Sequence, residues 1–140
     1  MKLAAAAIAW GTGAMVAILV TAAHGGASEY GMFRSPSGAI GCGYYEKTLR
    51  CDVVGGLKPL PPAPKSCQLD WGQGFWLGQH GRASVVCAGD TALDRNARVI
   101  RYGTAWRGDA IVCASSTDGL RCVNADGHGF VIARGDSRRF

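Results

Sequence analysis

Short metal-ligand spacings are missing from this chain. No two of its six cysteines stand two to four residues apart, and its three histidines include no His-x3-His pair. A zinc knuckle is excluded on that ground, because tetrahedral sites draw their ligands from such closely spaced pairs. Charge is also scarce at 18% of residues, and the only basic cluster is Arg134, Arg138 and Arg139 at the C-terminal end. A nucleic-acid binder presents a denser basic stripe. No serine sits in a Gly-x-Ser-x-Gly elbow, and no long amphipathic helical pattern occurs.

What is present begins with an apolar leader. Lys2 supplies one positive charge, Leu3 to Val20 carry none, and the small residues Thr21-Ala22-Ala23 follow. This reads as a signal helix over residues 1–23, cleaved before His24, with a second possible cut after Ala27. The alternative is an uncleaved anchor, but Gly11, Thr12 and Gly13 weaken a stretch already at the lower limit for a span. Membrane contact is expected only in that case. The cysteine nearest the cut is Cys42, which argues against a lipidated N-terminus. Loss of Lys2 leaves fourteen basic against ten acidic side chains, a mature charge of about +4. The expected location is secreted, periplasmic or cell-envelope.

All six cysteines (Cys42, Cys51, Cys67, Cys87, Cys113, Cys122) follow the leader, and an even count behind an export signal reads as three disulfides. Internal similarity suggests the pairing. One stretch has Phe33-Arg34, Ala39-Ile40-Gly41-Cys42 and Leu49-Arg50-Cys51. A later one has Trp106-Arg107, Ala110-Ile111-Val112-Cys113 and Leu120-Arg121-Cys122. Gly72-Gln73-Gly74-Phe75 then matches Gly127-His128-Gly129-Phe130, after an insertion of about sixteen residues in the first copy. The repeat spans about 30–77 and 102–132. Alternation puts Ile111 with Cys113, and Leu120 with Cys122, on one face of neighbouring strands, and Asp118-Gly119 marks the turn between them. Cys113–Cys122 and Cys42–Cys51 therefore cross-link hairpins, leaving Cys67 for Cys87.

Short β-branched or aromatic runs predict strands over 74–78, 82–88, 99–102, 110–115, 120–124 and 130–133. Gly55 to Pro64 reads as an extended, polyproline-like insertion, and 91–97 as one helical turn capped by Asp90. The expected fold of residues 24–140 is a single, mainly β domain: a small disulfide-linked antiparallel sheet or open barrel built from two similar hairpin units.

Four phrases carry a family resemblance: Phe33 to Cys42, Asp70-Trp71-Gly72, Val86 to Thr91, and Gly127 to Phe130. Together they resemble a bacterial family of small secreted domains with no assigned activity. The resemblance implies an exported, cysteine-containing domain. It also implies Asn and Ser at the positions where this chain has Ala39 and Ala133.

The site candidates are few. His128, with Asp126 close by, offers a general base for a secreted hydrolase, although its counterpart in the other copy is Gln73. His80 sits in a turn. Tyr44, Tyr45, Trp71, Trp76 and Tyr102 are candidates for an aromatic binding face, set against a core role for the tryptophans. Arg107-Gly108-Asp109 and Arg134-Gly135-Asp136 spell an adhesive tripeptide, yet such turns arise readily in a chain with 21 glycines. All cysteines being committed, no catalytic thiolate is expected, and neither metal nor cofactor. The leading expectation is a non-catalytic domain binding a cell-envelope or extracellular partner. The alternatives are the His128 hydrolase, or an enzyme inhibitor acting through the proline-rich loop.

Overall fold

The computed structural model describes residues 31–140, so the leader expected over residues 1–23 and its expected cleavage lie outside the described residues. Two sheets make up the fold. The first has the order β5 (Ser84–Cys87), β4 (Trp71–Gly78), β3 (Thr48–Val53), β2 (Ile40–Tyr45), β1 (Gly31–Arg34), β6 (Arg98–Val99). The second runs β11 (Arg138–Arg139), β10 (Gly129–Ile132), β9 (Gly119–Val123), β8 (Val112–Ser116), β7 (Ala105–Arg107). All pairings are antiparallel except β1 with β6. The mainly β, disulfide-linked and open fold expected from the sequence is thus present, as two sheets that do not close and that share one core.

Alternation builds that core. Cys42 and Tyr44 of β2, Leu49 and Cys51 of β3, and Phe75 and Leu77 of β4 all point inward and are buried. Cys113, Leu120, Cys122, Phe130 and Ile132 do the same in the second sheet. Cross-strand partners in the first sheet form the row Phe33, Cys42, Cys51, Phe75, and in the second the row Trp106, Cys113, Cys122, Phe130. The two rows face each other end to end. Phe33 stacks on Trp106 with ring centroids 4.8 Å apart, and Phe75 meets Phe130 at 5.2 Å.

Three disulfides, Cys42–Cys51, Cys67–Cys87 and Cys113–Cys122, are present. The two hairpin bridges join directly opposed residues, with Cα atoms 4.1 and 4.0 Å apart. No cysteine is free. Such a framework is consistent with an oxidising compartment.

Two local expectations need correction. Among the described residues there is no helix, and instead of the helical turn predicted over 91–97 there is a single turn in which the Ala97 N–H meets the Asp94 carbonyl. Asp90, its supposed cap, is held by Arg50 instead, while the Ala92 N–H goes to Asp52 and the Leu93 N–H to the Thr91 hydroxyl. Side chains thus satisfy the donors that a helix would have used. The strand predicted over 99–102 is observed as Arg98–Val99; Ile100 still donates to the Arg34 carbonyl, and the chain then turns, with the Thr104 N–H on the Arg101 carbonyl. Strands β1, β7 and β11 escape the sequence reading; β7 and β11 are only three and two residues long.

The two hairpin turns differ. Ser116 and Gly119 flank Thr117-Asp118 in the second, whereas Glu46 (φ 49°) and Lys47 (φ 64°) form the first, both left-handed without being glycine. That geometry favours Asn-Gly. Replacing Glu46 by Asn and Lys47 by Gly together is expected to stabilise the domain by about 1–2 kcal/mol, read as a higher urea midpoint at unchanged slope.

Candidate functional site

The solvent face of the first sheet carries the residues that alternate with the core. Met32, Gly43, Arg50 and Trp76 are successive cross-strand neighbours there, with Ser84 beyond. The segment after β5 lies directly on this face. Gly41 makes that possible, since a side chain there would overlap the Ala92 carbonyl and come within 2.8 Å of the Leu93 Cα.

A buried ion pair anchors that segment. Arg50 donates from Nε and a terminal nitrogen to the two carboxylate oxygens of Asp52 (3.0 and 2.8 Å), and from the other terminal nitrogen to Asp90 Oδ1 at 2.6 Å. It also donates to the Asp90 carbonyl at 2.7 Å, and its guanidinium lies 5.3 Å from the Trp76 ring centroid. Asp52, fully buried, further accepts the Ala92 N–H and the Thr91 hydroxyl. Burial by itself would lower the Arg50 pKa, but the hydrogen bonds it donates to Asp52 and Asp90 hold it above its ordinary value. The same bond to Arg50 holds the Asp90 carboxylate below the usual range. A depressed carboxylate pKa stabilises the fold above the unfolded value and stops doing so as pH falls through the folded one, so this tie persists into mild acid.

Beside the tie opens a cleft of about 450 Å³. Gly43 is its floor, and any Cβ there would lie 2.8 Å from the Met32 sulfur and 3.1 Å from the Tyr45 ring. Tyr45, 55% exposed, and the half-buried Trp76 and Met32 supply apolar surface. Glu46, Thr48, Asp90 and Thr91 supply the polar rim.

The structure separates the six aromatic and histidine candidates. Tyr45 and Trp76 meet in this cleft. Tyr44 is buried against Trp106, and its hydroxyl donates to Asp109 at 2.8 Å; burial and that carboxylate raise its pKa. Trp71 lies against the core and donates to the Pro61 carbonyl at 2.8 Å. Tyr102, exposed, lines a different cleft of about 540 Å³ with Ser37, Ser116 and Arg134. Ala39 and Ala133, where the resemblance implies polar residues, line that second cleft too.

His128 and Asp126 do not form a dyad. Asp126 accepts from His80 Nδ1 (2.9 Å) and the Gly81 N–H (2.8 Å), and these, His80 first, hold its pKa down. His128 is fixed through its backbone N–H on the Asn124 side chain, which also bonds Gly78 and Gly81. The proline-rich loop is tied to the body at Leu57, which is buried, at Pro61, whose carbonyl accepts from Trp71, and at Leu60, which contacts Gly72, while Lys58 to Leu60 and Pro62 to Pro64 stay exposed. In Arg107-Gly108-Asp109, the glycine sits where a Cβ would be 3.0 Å from the Tyr44 ring, and the aspartate is Tyr44's partner. That tripeptide is a packing device.

Sequence reasoning missed Met32, Arg50, Asp52 and Asp90. A signal for Arg50 was available, since it recurs as Arg121 in the Leu-Arg-Cys phrase, where it lies over the Phe140 ring. Among the described residues no cluster of His, Cys, Asp or Glu suits a metal ion.

A profile described as a family of unknown function, DUF6636, matches residues 13–140. No curated protein and no solved structure matches the chain.

Proposed function

Because the chain belongs to the DUF6636 family, whose function is unknown, we propose its role from its own geometry: an exported, non-catalytic domain that binds a cell-envelope or extracellular partner through the Tyr45–Trp76 cleft. Export follows from the leader and suits the disulfide framework.

One observation carries the assignment of the cleft. We read the two hairpin units as a duplication, which makes the second sheet an internal control. Core positions keep their character: Phe33 and Trp106, Leu49 and Leu120, Phe75 and Phe130, Leu77 and Ile132. On the outer face, Met32, Gly43 and Trp76 stand where the second sheet has Ala105, Ala114 and Val131, and Tyr45 stands where it has Ser116. The same scaffold accepts small residues at every one of these positions. Its first copy therefore does not need an aromatic cleft to fold, and binding supplies the reason for one.

The control also designs the test. Tyr45→Ser and Trp76→Val give the first sheet the residues of the second. With folding checked by circular dichroism, the double variant is expected to co-sediment with a native envelope fraction at least about tenfold more weakly than wild type, as loss of aromatic anchors does. Val112→Ala, on the outer face of the second sheet, should leave co-sedimentation unchanged. Undiminished binding by the double variant refutes the assignment.

A further inference from the structure

The geometry points to an alkylammonium group as the ligand of this cleft, an inference that rests on the cleft being the recognition site. Its charges are set by which side chains are already occupied. Arg50 is the only basic residue among those lining the cleft. Asp52 and Asp90 take hydrogen bonds from all three of its guanidinium nitrogens, and its charge is matched by the buried Asp52. It has no free fork for an incoming anion.

The carboxylates are in the opposite condition. The Asp90 side chain is 81% exposed, and only its Oδ1 is taken, by Arg50. Glu46, exposed on the hairpin tip, lines the same cleft. With Arg50 and Asp52 cancelling, the lining keeps two negative charges, on a protein whose net charge is +5. The cleft thus opposes the sign of the molecule around it, which favours a positive ligand and repels an anionic one. Lys47, the neighbour of Glu46, is the nearby cation that the ligand must tolerate, and it does not line the cleft.

The same lining carries the apolar surface of Tyr45, Trp76 and Met32. Trp76 already has the Arg50 cation over its ring, so Tyr45 is the aromatic face open to a ligand. An ammonium head bearing alkyl carbons uses all of this at once, with charge toward Glu46 and Asp90 and carbons on the rings. A neutral sugar could use the rings but would gain nothing from the net charge.

The experiment titrates the mature, disulfide-bonded domain with tetramethylammonium, butylammonium, Nα-acetyl-lysine amide, a neutral trisaccharide and acetate, following the Trp76 indole N–H by NMR. Saturable shifts are expected from the three ammonium probes and not from the trisaccharide or acetate. Glu46→Gln should weaken ammonium binding by about threefold or more, and Tyr45→Ser by about threefold to thirtyfold, the range of a cation–π contact. Binding should also weaken as ionic strength rises from about 0.01 to about 0.1 M. Tetramethylammonium binding better than butylammonium would place the group on a small quaternary amine. Acetyl-lysine amide binding better than butylammonium would place it on a peptide lysine. If the trisaccharide binds and Glu46→Gln changes nothing, the ammonium assignment is overturned while the cleft stands. If no probe shifts Trp76 and the double variant keeps its envelope binding, both fail.

Discussion

Gly74→Ala is expected to cost at least about 3 kcal/mol and to leave the domain largely unfolded at moderate urea concentrations. A Cβ at this position would overlap the Cys51 carbonyl oxygen and lie 2.7 Å from the Asp52 Cα. Both obstacles are backbone, so no rotamer change relieves them, and β4 would have to move away from β3. That displacement would carry Phe75 away from Phe130 and Trp76 away from Arg50. Gly129 is in the same position in the second sheet, where a Cβ would overlap the Cys122 carbonyl oxygen, and Gly129→Ala should be comparably damaging. Gly89→Ala is the control. Its Cβ would meet nothing closer than a Leu69 methyl at 3.8 Å, so the change should be neutral or slightly stabilising. Urea unfolding of the three oxidised variants decides the matter, and a near-neutral Gly74→Ala would show that β3 and β4 are less closely apposed than described.

Asp52→Ala carries the next largest effect, a loss of about 3–5 kcal/mol. The reason is the charge left behind. Arg50 is only 7% exposed, and without Asp52 it keeps the single exposed carboxylate of Asp90. The Ala92 N–H loses its acceptor as well, releasing the segment that lies over Gly41. Removing both charges separates this from a simple packing defect. The Arg50→Met, Asp52→Leu double variant should recover most of the lost stability, because a buried pair replaced by apolar residues is often close to neutral. The measurement is again the urea midpoint, here of the single and double variants together. A double variant no better than Asp52→Ala would show that packing, and not the orphaned charge, governs the site.

The hairpins were legible because the signals are local. Two cysteines on one face of adjacent strands, with a turn between them, leave little freedom in register, and the alternation of Leu120 and Cys122 says which side is buried. The third disulfide followed by elimination. The cleft was not legible. Alternation puts Arg50, Asp52 and Trp76 on the face away from the cysteines, and a sheet face of that kind ordinarily looks into water. That a segment some forty residues later lies on it depends on Gly41 leaving room for the Ala92 carbonyl and on Asp52 accepting the Ala92 N–H. Asp90 misled for the same reason. As a local signal it caps a helix, but a buried arginine contributed by β3 bonds it more strongly than a turn of backbone could.

By itself, then, the sequence determined that the chain is a disulfide-linked β domain, which cysteines face one another, and which side chains share a strand face. These follow from the two-residue period of a strand and the short reach of a cysteine side chain. Only the tertiary structure decided that there are two sheets instead of one, that Phe33 lies on Trp106 and Phe75 on Phe130, and that Tyr45 and Trp76 line one cleft while Tyr44 and Trp71 serve the packing. Those outcomes rest on contacts between segments far apart in the chain, where packing and buried charge, rather than local periodicity, select the arrangement.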